Sequence, residues 1–451
     1  MIDQKHYAVV GLGKTGWSCV KYLQSKKIPV VVFDSREKPP NLQSCQQAFP
    51  KLPIITGSYT LDDFSCITHV VVSPGVDTRG QFWQALKDQG KVFLSDYDLW
   101  ISECPAKKIV GVTGTNGKST VTDLMAYMGR ACGLRAIAIG NIGVPVLDTL
   151  GDGPYDLAVV ECSSFQLDVS QPIAWDAAVF LNISDDHMDR YDTWDDYLLA
   201  KKKIYEACAC AVIDKDQVAL WEGGSFRKTI AYATQGNHAD FFFDGATYHL
   251  PNNLRLQASD VSLAVQSFPQ NVMATLALAD ALNLSMDSCI QALKTFQGLP
   301  YRLQLIARVS GVSWYNDSKA TNIGAAVAAI ERVSKKTSGQ IFWMAGGQGK
   351  GADFSVMTEA IESLVGVAIL YGQDAHAIAR CIHETPVLLV PNLEVAMEKA
   401  FSLAQKNDAV LFSPACASFD AFKNFEERGA FFNDKLALMS HDRDLLDQQV
   451  P

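Results

Sequence analysis

Short apolar runs rich in β-branched residues alternate with segments of helical periodicity along nearly the whole chain. The clearest runs are residues 6–10, 30–33, 69–72, 108–112, 156–160 and 177–181. Strands separated by helices are typical of parallel sheets that are covered by helices. The pattern therefore predicts an α/β fold with a parallel sheet in every domain.

The spacing of polar and Gly/Pro-rich stretches predicts how the chain divides. A length of 451 residues corresponds to about three domains. The polar stretch 95–105 is predicted to be a linker, and Gly298 and Pro300 interrupt the pattern again further along. We expect domains at 1–97, 98–300 and 301–451.

Composition and charge narrow the classes of function. With 48% hydrophobic and 20% charged residues the chain has the balance of a globular enzyme, and a net charge of -10 argues against a nucleic-acid partner. The eleven cysteines form no CxxC pair, and Cys208 and Cys210 lie in an apolar run typical of buried positions. We find neither a signal peptide nor a membrane-spanning run, so we expect a cytoplasmic protein without membrane insertion. We also expect a monomer, although the sequence carries no signal for the oligomeric state.

The first candidate site is the glycine motif Gly11-Leu-Gly13-Lys-Thr-Gly16, which follows one predicted strand, with Asp34 at the end of the next. Such glycines let backbone amides approach a pyrophosphate, and the acid can hold a ribose hydroxyl. This predicts a Rossmann-like first domain. The motif alone could also be a tight turn, and at this point a nicotinamide-dependent oxidoreductase is an alternative.

A second glycine loop, Gly114-Thr-Asn-Gly-Lys-Ser-Thr120, lies between a predicted strand and a predicted helix. Its amides would hold phosphates, Lys118 would neutralise the terminal ones, and the Ser119 or Thr120 hydroxyl could reach Mg²⁺. The strict pattern would need glycine where the chain has Val112, so the loop is a shortened variant. The central domain is predicted to be of the P-loop ATPase type, the alternative being a turn with an exposed lysine.

Carboxylates follow two strands of that predicted parallel sheet. Glu161 ends one strand, and the segment 185–190, which contains His187, follows another. The carboxyl ends of parallel strands form a common ligand-binding edge, and oxygen ligands suit Mg²⁺. The run Lys201-Lys-Lys203 is typical of a solvated helix face.

Three loops of the last domain combine small residues with polar or cationic groups. They are residues 314–322, 346–351 and 413–418. Each follows a predicted strand, and together they favour a small anionic substrate.

The order of these motifs resembles the Mur ligase family, whose members join an amino acid or dipeptide to a UDP-muramoyl precursor with ATP. The loop 114–120 is shared with folylpolyglutamate synthases, whereas residues 317–322, 413–420 and 423–425 are similar to the D-glutamate-adding branch. The resemblance implies ATP-dependent addition of D-glutamate to UDP-N-acetylmuramoyl-L-alanine through an acyl phosphate, in peptidoglycan synthesis, with a Rossmann-like C-terminal domain. A sister ligase for another amino acid is the alternative.

The resemblance also implies roles for residues that match family motifs. The residues implied for ATP are Gly114, Thr115, Asn116, Gly117, Lys118, Ser119, Thr120, Asn271, Arg302 and Asp317. Catalytic roles are implied for Lys118, Glu161, His187, Lys201 and Lys319, and Mg²⁺ ligation for Ser119, Glu161, His187 and Lys201 as a carbamate. The residues implied for the UDP substrate are Gly13, Thr15, Asp34, Ser35, Arg36, Gly75, Asn141 and Ser163, and those for D-glutamate are Thr321, Lys350, Ser418 and Phe425.

Overall fold

The computed structural model describes residues 6–184, 190–236, 239–266 and 268–447, of which 263, 264 and 441–447 are described by their backbone alone. The predicted site residue His187 lies outside these ranges. The chain divides into two compact units, the first made of Met1–Ile183 with Arg190–Phe296 and the second of Ser184–Asp189 with Gln297–Pro451.

The first unit begins with a five-stranded parallel sheet of order β3-β2-β1-β4-β5. Its strands are β1 (Tyr7–Val10), β2 (Val30–Asp34), β3 (Ile54–Thr56), β4 (His69–Val72) and β5 (Val92–Leu94), and its helices are α1 (Lys14–Ser25), α2 (Leu42–Ala48), α3 (Gln81–Asp88) and α4 (Asp96–Ile101). This strand order is that of a Rossmann-like sheet. At the turn into α1 a Cβ on Gly16 would lie 1.8 Å from the carbonyl oxygen of Gly11, so only glycine fits there.

Helix α4 corrects the prediction of a linker over 95–105. Ser95 and Asp98 form a capping box at its start, and Tyr97 and Trp100 are fully buried. The segment looked polar because its acidic residues alternate with the buried aromatic ones. It folds as a helix because these aromatic side chains pack in a core shared with the next sheet.

The second sheet has nine strands in the order β14-β13-β12-β11-β10-β9-β6-β8-β7. The strands are β6 (Ala106–Thr113), β7 (Ala136–Gly140), β8 (Tyr155–Glu161), β9 (Ala177–Phe180), β10 (Ala211–Asp214), β11 (Thr229–Ala233), β12 (Phe241–Phe243), β13 (Thr247–His249) and β14 (Arg255–Gln257). The helices are α5 (Lys118–Ala131), α6 (Ser164–Val169), α7 (Trp194–Lys202), α8 (Leu263–Gln266), α9 (Pro269–Ala281) and α10 (Met286–Thr295). The strands up to β12 pair in parallel, and β12 to β14 form an antiparallel edge.

The second unit contains a six-stranded sheet of order β15-β16-β20-β17-β18-β19. The strands are β15 (Gln304–Val309), β16 (Val312–Asn316), β17 (Ile341–Gly346), β18 (Val367–Tyr371), β19 (Val387–Leu389) and β20 (Ala409–Phe412). The helices are α11 (Ile323–Ser334), α12 (Thr358–Leu364), α13 (Ala375–Ala379), α14 (Leu393–Leu403) and α15 (Phe425–Asp447). Apolar clusters cover both faces, and β15 pairs antiparallel to β16.

The α/β class is confirmed, with antiparallel edges on two of the three predicted parallel sheets. Cys208 and Cys210 are buried, as the apolar run predicts. None of the helices within the described ranges is both long and apolar enough to cross a lipid bilayer.

Candidate active site

The loop between β6 and α5 has the backbone that its glycines predict. Gly114 and Gly117 have φ angles of 155° and 82°, and Gly117 is the N-cap of α5. A Cβ on Gly117 would lie 2.6 Å from the side-chain oxygen of Asn271. Asn271 therefore packs directly against the loop, which leaves no space for a larger residue at 117.

Asn182, just after β9, holds the centre of this loop and was not singled out from the sequence. Its carbonyl oxygen accepts from the Thr115 amide at 2.9 Å, and its side chain exchanges two hydrogen bonds with the Asn116 backbone, at 2.8 and 3.0 Å. Its position was the available signal in the sequence. Asn182 is an asparagine that follows β9, and β9 neighbours β6, the strand that leads into the phosphate loop.

Two lysines converge on the carbonyl oxygen of Gly114. Lys118 Nζ donates to Gly114 and Thr115 at 2.8 Å each, and Lys201 Nζ donates to Gly114 at 2.9 Å. Lys201 is only 2% exposed and lies 4.7 Å from the centre of the Tyr197 ring. This corrects the interpretation of residues 201–203 as a solvated face, since the first of these lysines points into the protein.

Glu161, at the end of β8, is the most constrained carboxylate near the loop. Its carbonyl oxygen accepts from the Asn141 amide at 2.9 Å and from the Tyr97 hydroxyl at 2.7 Å, while its Oε1 accepts from the Asn141 side chain at 3.1 Å. Its Oε2 is buried and has no hydrogen-bond partner among the residues that the structure describes. The arrangement leaves one carboxylate oxygen available to a cation.

Cys162, the residue after Glu161, is buried beside the charges of Glu161 and Lys201. Burial, and next the negative charge of Glu161, raise the pKa of Cys162 well above its usual range, whereas Lys201 acts in the opposite direction. Glu161 is paired with Val112 of β6, just before the phosphate loop, and Lys201 donates to Gly114 in that loop, so all three lie at one edge of the second sheet. Ser119, in the first turn of α5, is buried as well.

Within the described ranges, no three His, Cys, Asp or Glu side chains lie close enough together to bind a metal ion. The segment 185–189 lies outside those ranges.

In the first sheet, the Asp34 carboxylate accepts hydrogen bonds from groups of the protein. Its carboxylate accepts from the Leu12 amide at 2.7 Å and from Arg36 through Nε at 2.9 Å and Nη2 at 2.7 Å. Burial acts to raise the pKa of Asp34, but the hydrogen bonds from Arg36 and Leu12 outweigh it and lower the pKa. Asp34 thus fixes the glycine turn, and its contact with a ligand stays a prediction.

The other residues predicted for the UDP substrate lie around this turn. A Cβ on Gly13 or Gly75 would meet no heavy atom within 4 Å, so both glycines border open space. Arg190 donates to the carbonyl oxygens of Gly75 and Val76 at 3.3 and 2.9 Å. Ser35 and Arg36 are exposed, and Thr15 is partly buried.

In the second unit, Asp317 follows β16 and is held by two donors. Its carboxylate accepts from the Leu303 amide and the Ser413 hydroxyl, both at 2.9 Å. Burial raises the pKa of Asp317 to about 7, and the charge of Arg302 opposes this effect. The predicted roles of Asp317 and Arg302 in binding ATP stay predictions.

The residues predicted for D-glutamate lie in loops that are tied together. Lys319 Nζ lies 4.0 Å from the centre of the Phe425 ring, and the Thr321 amide donates to the Lys319 carbonyl at 2.8 Å. A backbone bridge joins Gln348 to Ala417, next to Ser418. Lys350 is exposed and has a φ angle of 54°.

Arg428, in α15, organises these loops and was missed in the sequence. It is 1% exposed and donates through Nε to the Ser318 hydroxyl at 3.1 Å, and through Nη2 to the carbonyl oxygens of Ser318 and Cys416 at 2.9 and 3.0 Å. A buried arginine needs such partners because an uncompensated charge is costly inside a protein. Its guanidinium therefore fixes the loop after β16 relative to the loop after β20.

Comparison with known protein families matches three consecutive models to this chain. They are described as "Mur ligase MurD-like, N-terminal domain" over residues 5–94, "Mur ligase middle domain" over 112–279 and "Mur ligase, glutamate ligase domain" over 301–416. Together they include every predicted site residue except Ser418 and Phe425.

Individual proteins give the same result. The chain is 37% identical over 436 residues to the UDP-N-acetylmuramoylalanine--D-glutamate ligase of Alcanivorax borkumensis, covering 96% of this chain and 98% of that one. It is 36% identical over 441 residues to the same-named protein of Coxiella burnetii, covering 96% and 99%. In fold it is similar to a pseudomurein peptide ligase type C from Methanothermus fervidus, with a TM-score of 0.59, 19% identity and coverage of 90% and 96%.

The contact between Gly117 and Asn271 leads to a testable prediction. Gly117→Ala and Gly133→Ala place alanine at nearly the same φ, 82° and 81°, but a Cβ on Gly133 meets no atom within 4 Å. Both variants should lose about 1–2 kcal/mol of stability from the left-handed backbone. Only Gly117→Ala should weaken binding of ATP, by about tenfold or more, because its Cβ displaces Asn271 from the loop.

Thermal unfolding and titration with a fluorescent ATP analogue measure the two effects. Equal ATP affinity in the two variants would contradict the role given to the loop.

Proposed function

The chain belongs to the Mur ligase family, and we propose that it joins the amine of D-glutamate to the L-alanine carboxylate of UDP-N-acetylmuramoyl-L-alanine. It is an ATP-dependent, amide-bond-forming ligase of peptidoglycan synthesis. The choice of D-glutamate is based on the 37% identity to a D-glutamate ligase, which covers 96% of this chain and therefore includes the last domain.

The proposed reaction has two steps. An oxygen of the L-alanine carboxylate attacks the γ-phosphorus of ATP, ADP leaves, and an acyl phosphate remains. The D-glutamate nitrogen then attacks the acyl carbon, phosphate leaves, and the amine loses a proton. Lys118 and the amides of the loop 114–117 would stabilise the charge on the phosphate oxygens, so that catalysis depends on position and electrostatics.

Mg²⁺ is proposed as the cation that assists ATP, and the residues present fit it. The buried Oε2 of Glu161, which has no hydrogen-bond partner within the described ranges, is an anionic oxygen of the kind that Mg²⁺ prefers, and Ser119 lies in the first turn of α5, directly after the phosphate loop. When bound, Mg²⁺ would neutralise phosphate oxygens. The proposed ligand His187 lies outside the described residues.

Lys201 would serve this cation only after modification. A buried ammonium group repels Mg²⁺, whereas a carbamate on the same nitrogen carries a negative charge and oxygen ligands. Carbamylation joins the neutral amine to CO₂ and releases a proton. The position of Lys201, buried and bonded to the phosphate loop at Gly114, supports this role.

Specificity for D-glutamate would come from cations in the loops of the second unit. The amino acid carries two carboxylates, and Lys319 and Lys350 offer two positive charges on neighbouring segments. Thr321 and Ser418 add hydroxyl donors, and Phe425 keeps the Lys319 ammonium in place through its ring. We further propose a cytoplasmic location, which the eleven unpaired cysteines support, and a monomer.

The proposed function predicts the outcome of a phosphate-release assay with ATP, Mg²⁺ and UDP-N-acetylmuramoyl-L-alanine. Release should occur with D-glutamate and not with L-glutamate, L-alanine or meso-diaminopimelate. Lys118→Ala should lower the rate by about 100-fold or more, because one donor to the transferring phosphate is lost. Lys107→Ala, a lysine with a 76% exposed side chain at the opposite end of β6, should leave it unchanged.

Release with another amino acid would keep the family and overturn the assignment of D-glutamate. Loss of activity in Lys107→Ala as well would show that the effect of Lys118→Ala is not specific.

The proposed carbamate makes a separate prediction that does not depend on turnover. Protein incubated with ¹³C-bicarbonate should show a carbamate carbon by NMR in the wild type and in Lys202→Gln, but not in Lys201→Gln. Lys202 is a suitable control because it is the next residue and donates to a surface carbonyl, that of Glu222, at 3.1 Å. A signal that persists in Lys201→Gln would place the modification elsewhere.

A further inference from the structure

Helix α4 follows the first sheet and contacts the end of β8 and helix α6 through two consecutive buried residues. The Tyr97 hydroxyl donates to the carbonyl oxygen of Glu161 at 2.7 Å, and Asp96 Oδ1 accepts from Gln166 Nε2 at 3.1 Å. Asp96 and Gln166 are each 3% exposed. The helix therefore touches both the carboxylate residue of the site and the segment that follows it.

The contact with Asp96 fixes which way the Gln166 amide points. A carboxylate can only accept hydrogen bonds, so the NH₂ group of Gln166 must face Asp96 and its Oε1 must face away. That oxygen accepts from the Ser163 hydroxyl at 2.8 Å. Burial raises the pKa of Asp96 to about 6, so the group is a carboxylate at pH 8 and the order of donors and acceptors is defined there.

The Ser163 hydroxyl has one position left for a further hydrogen bond, and at that position it can only accept. Its one hydroxyl proton is donated to Gln166 Oε1, and one lone pair accepts from the Gln166 amide nitrogen at 3.2 Å. A serine hydroxyl has one donor and two acceptor positions, so one lone pair remains. Ser163 is partly exposed, unlike its two partners, and can present that lone pair to a ligand.

We propose that Asp96 and Gln166 are positioning residues that hold the Ser163 hydroxyl as a hydrogen-bond acceptor for an N–H group of the UDP substrate. The inference rests on the proposed function. The N–H nearest to the reacting carboxylate of UDP-N-acetylmuramoyl-L-alanine is the amide of the L-alanine itself, on the same α-carbon. Ser163 therefore selects an amide at this position and disfavours an ester, whose oxygen would face the serine lone pair.

The test compares the natural substrate with an analogue in which L-lactate replaces L-alanine, so that an ester oxygen replaces the N–H. Affinities are measured at pH 8 by calorimetry with a non-hydrolysable ATP analogue. The wild type should bind the ester about tenfold more weakly, because the hydrogen bond to Ser163 is lost and the ester oxygen faces the lone pair of the Ser163 hydroxyl. With the natural substrate, the Gln166 variant should change KM more than kcat.

Four variants identify the cause of this preference. Gln166→Leu and Asp96→Leu free the Ser163 hydroxyl to turn and donate to the ester, so the ratio of affinities should fall to about threefold or less. Ser163→Ala should remove the ratio, while Asp96→Asn, which keeps an acceptor for Gln166, should largely retain it. Asp98→Asn is the matched control, because Asp98 lies on α4 but bonds to Ser95 and Gln171 instead.

The outcomes separate this inference from the proposed function. Equal affinity for amide and ester in an active wild type, or an unchanged ratio in Gln166→Leu, overturns the role of Asp96 and Gln166. A folded wild type that turns over no UDP substrate with D-glutamate overturns the proposed function instead.

Discussion

The active-site edge of the second sheet depends on the way Glu161 is held at the end of β8. Both lone pairs of its carbonyl oxygen are occupied, one by the Asn141 amide and one by the Tyr97 hydroxyl. The backbone is therefore fixed from a neighbouring strand and from helix α4. Its carboxylate is 2% exposed, with one oxygen bonded to Asn141 and the other without a partner among the described residues.

A buried carboxylate oxygen without a donor is unfavourable in the free protein, since burial removes water and supplies no compensating hydrogen bond. Functional sites retain such groups where a ligand supplies the missing charge. Lys118, which donates to the Gly114 carbonyl, places positive charge next to the phosphate loop, whereas Lys201, which donates to the same oxygen, is proposed to become a negatively charged carbamate. An anion-binding loop beside a carboxylate oxygen without a donor is what the proposed binding of ATP with Mg²⁺ requires.

Much of this site could be predicted because the backbone conformations that it needs require particular residues or patterns in the sequence. Glycines at 114 and 117 indicate the loop, and alternating strands and helices indicate where parallel strands end. The remaining features depend on burial in three dimensions. Helix α4 looked like a linker because its polar residues are as frequent as its buried aromatic ones, and Lys201 looked solvated because two further lysines follow it.

Arg428 and the Asp96–Gln166 pair were beyond sequence reasoning for a related reason. Charged and amide side chains are usually exposed, so a single sequence assigns them to the surface. Their partners are also remote in sequence, since Arg428 bonds to Ser318 and Asp96 to Gln166. The roles of such residues appear only when the fold brings their donors and acceptors together.

The most direct test of this account is the effect of Mg²⁺ on the affinity for a non-hydrolysable ATP analogue, measured by calorimetry in the wild type and in Glu161→Gln. The substitution keeps the size of the side chain and an oxygen for Asn141, but it removes the anionic Oε2. The account predicts that Mg²⁺ strengthens binding to the wild type and has little effect on the variant, while affinity without Mg²⁺ is no weaker in the variant, because a negative charge near the phosphates is removed. An equal gain from Mg²⁺ in both proteins would contradict the central role given to Glu161.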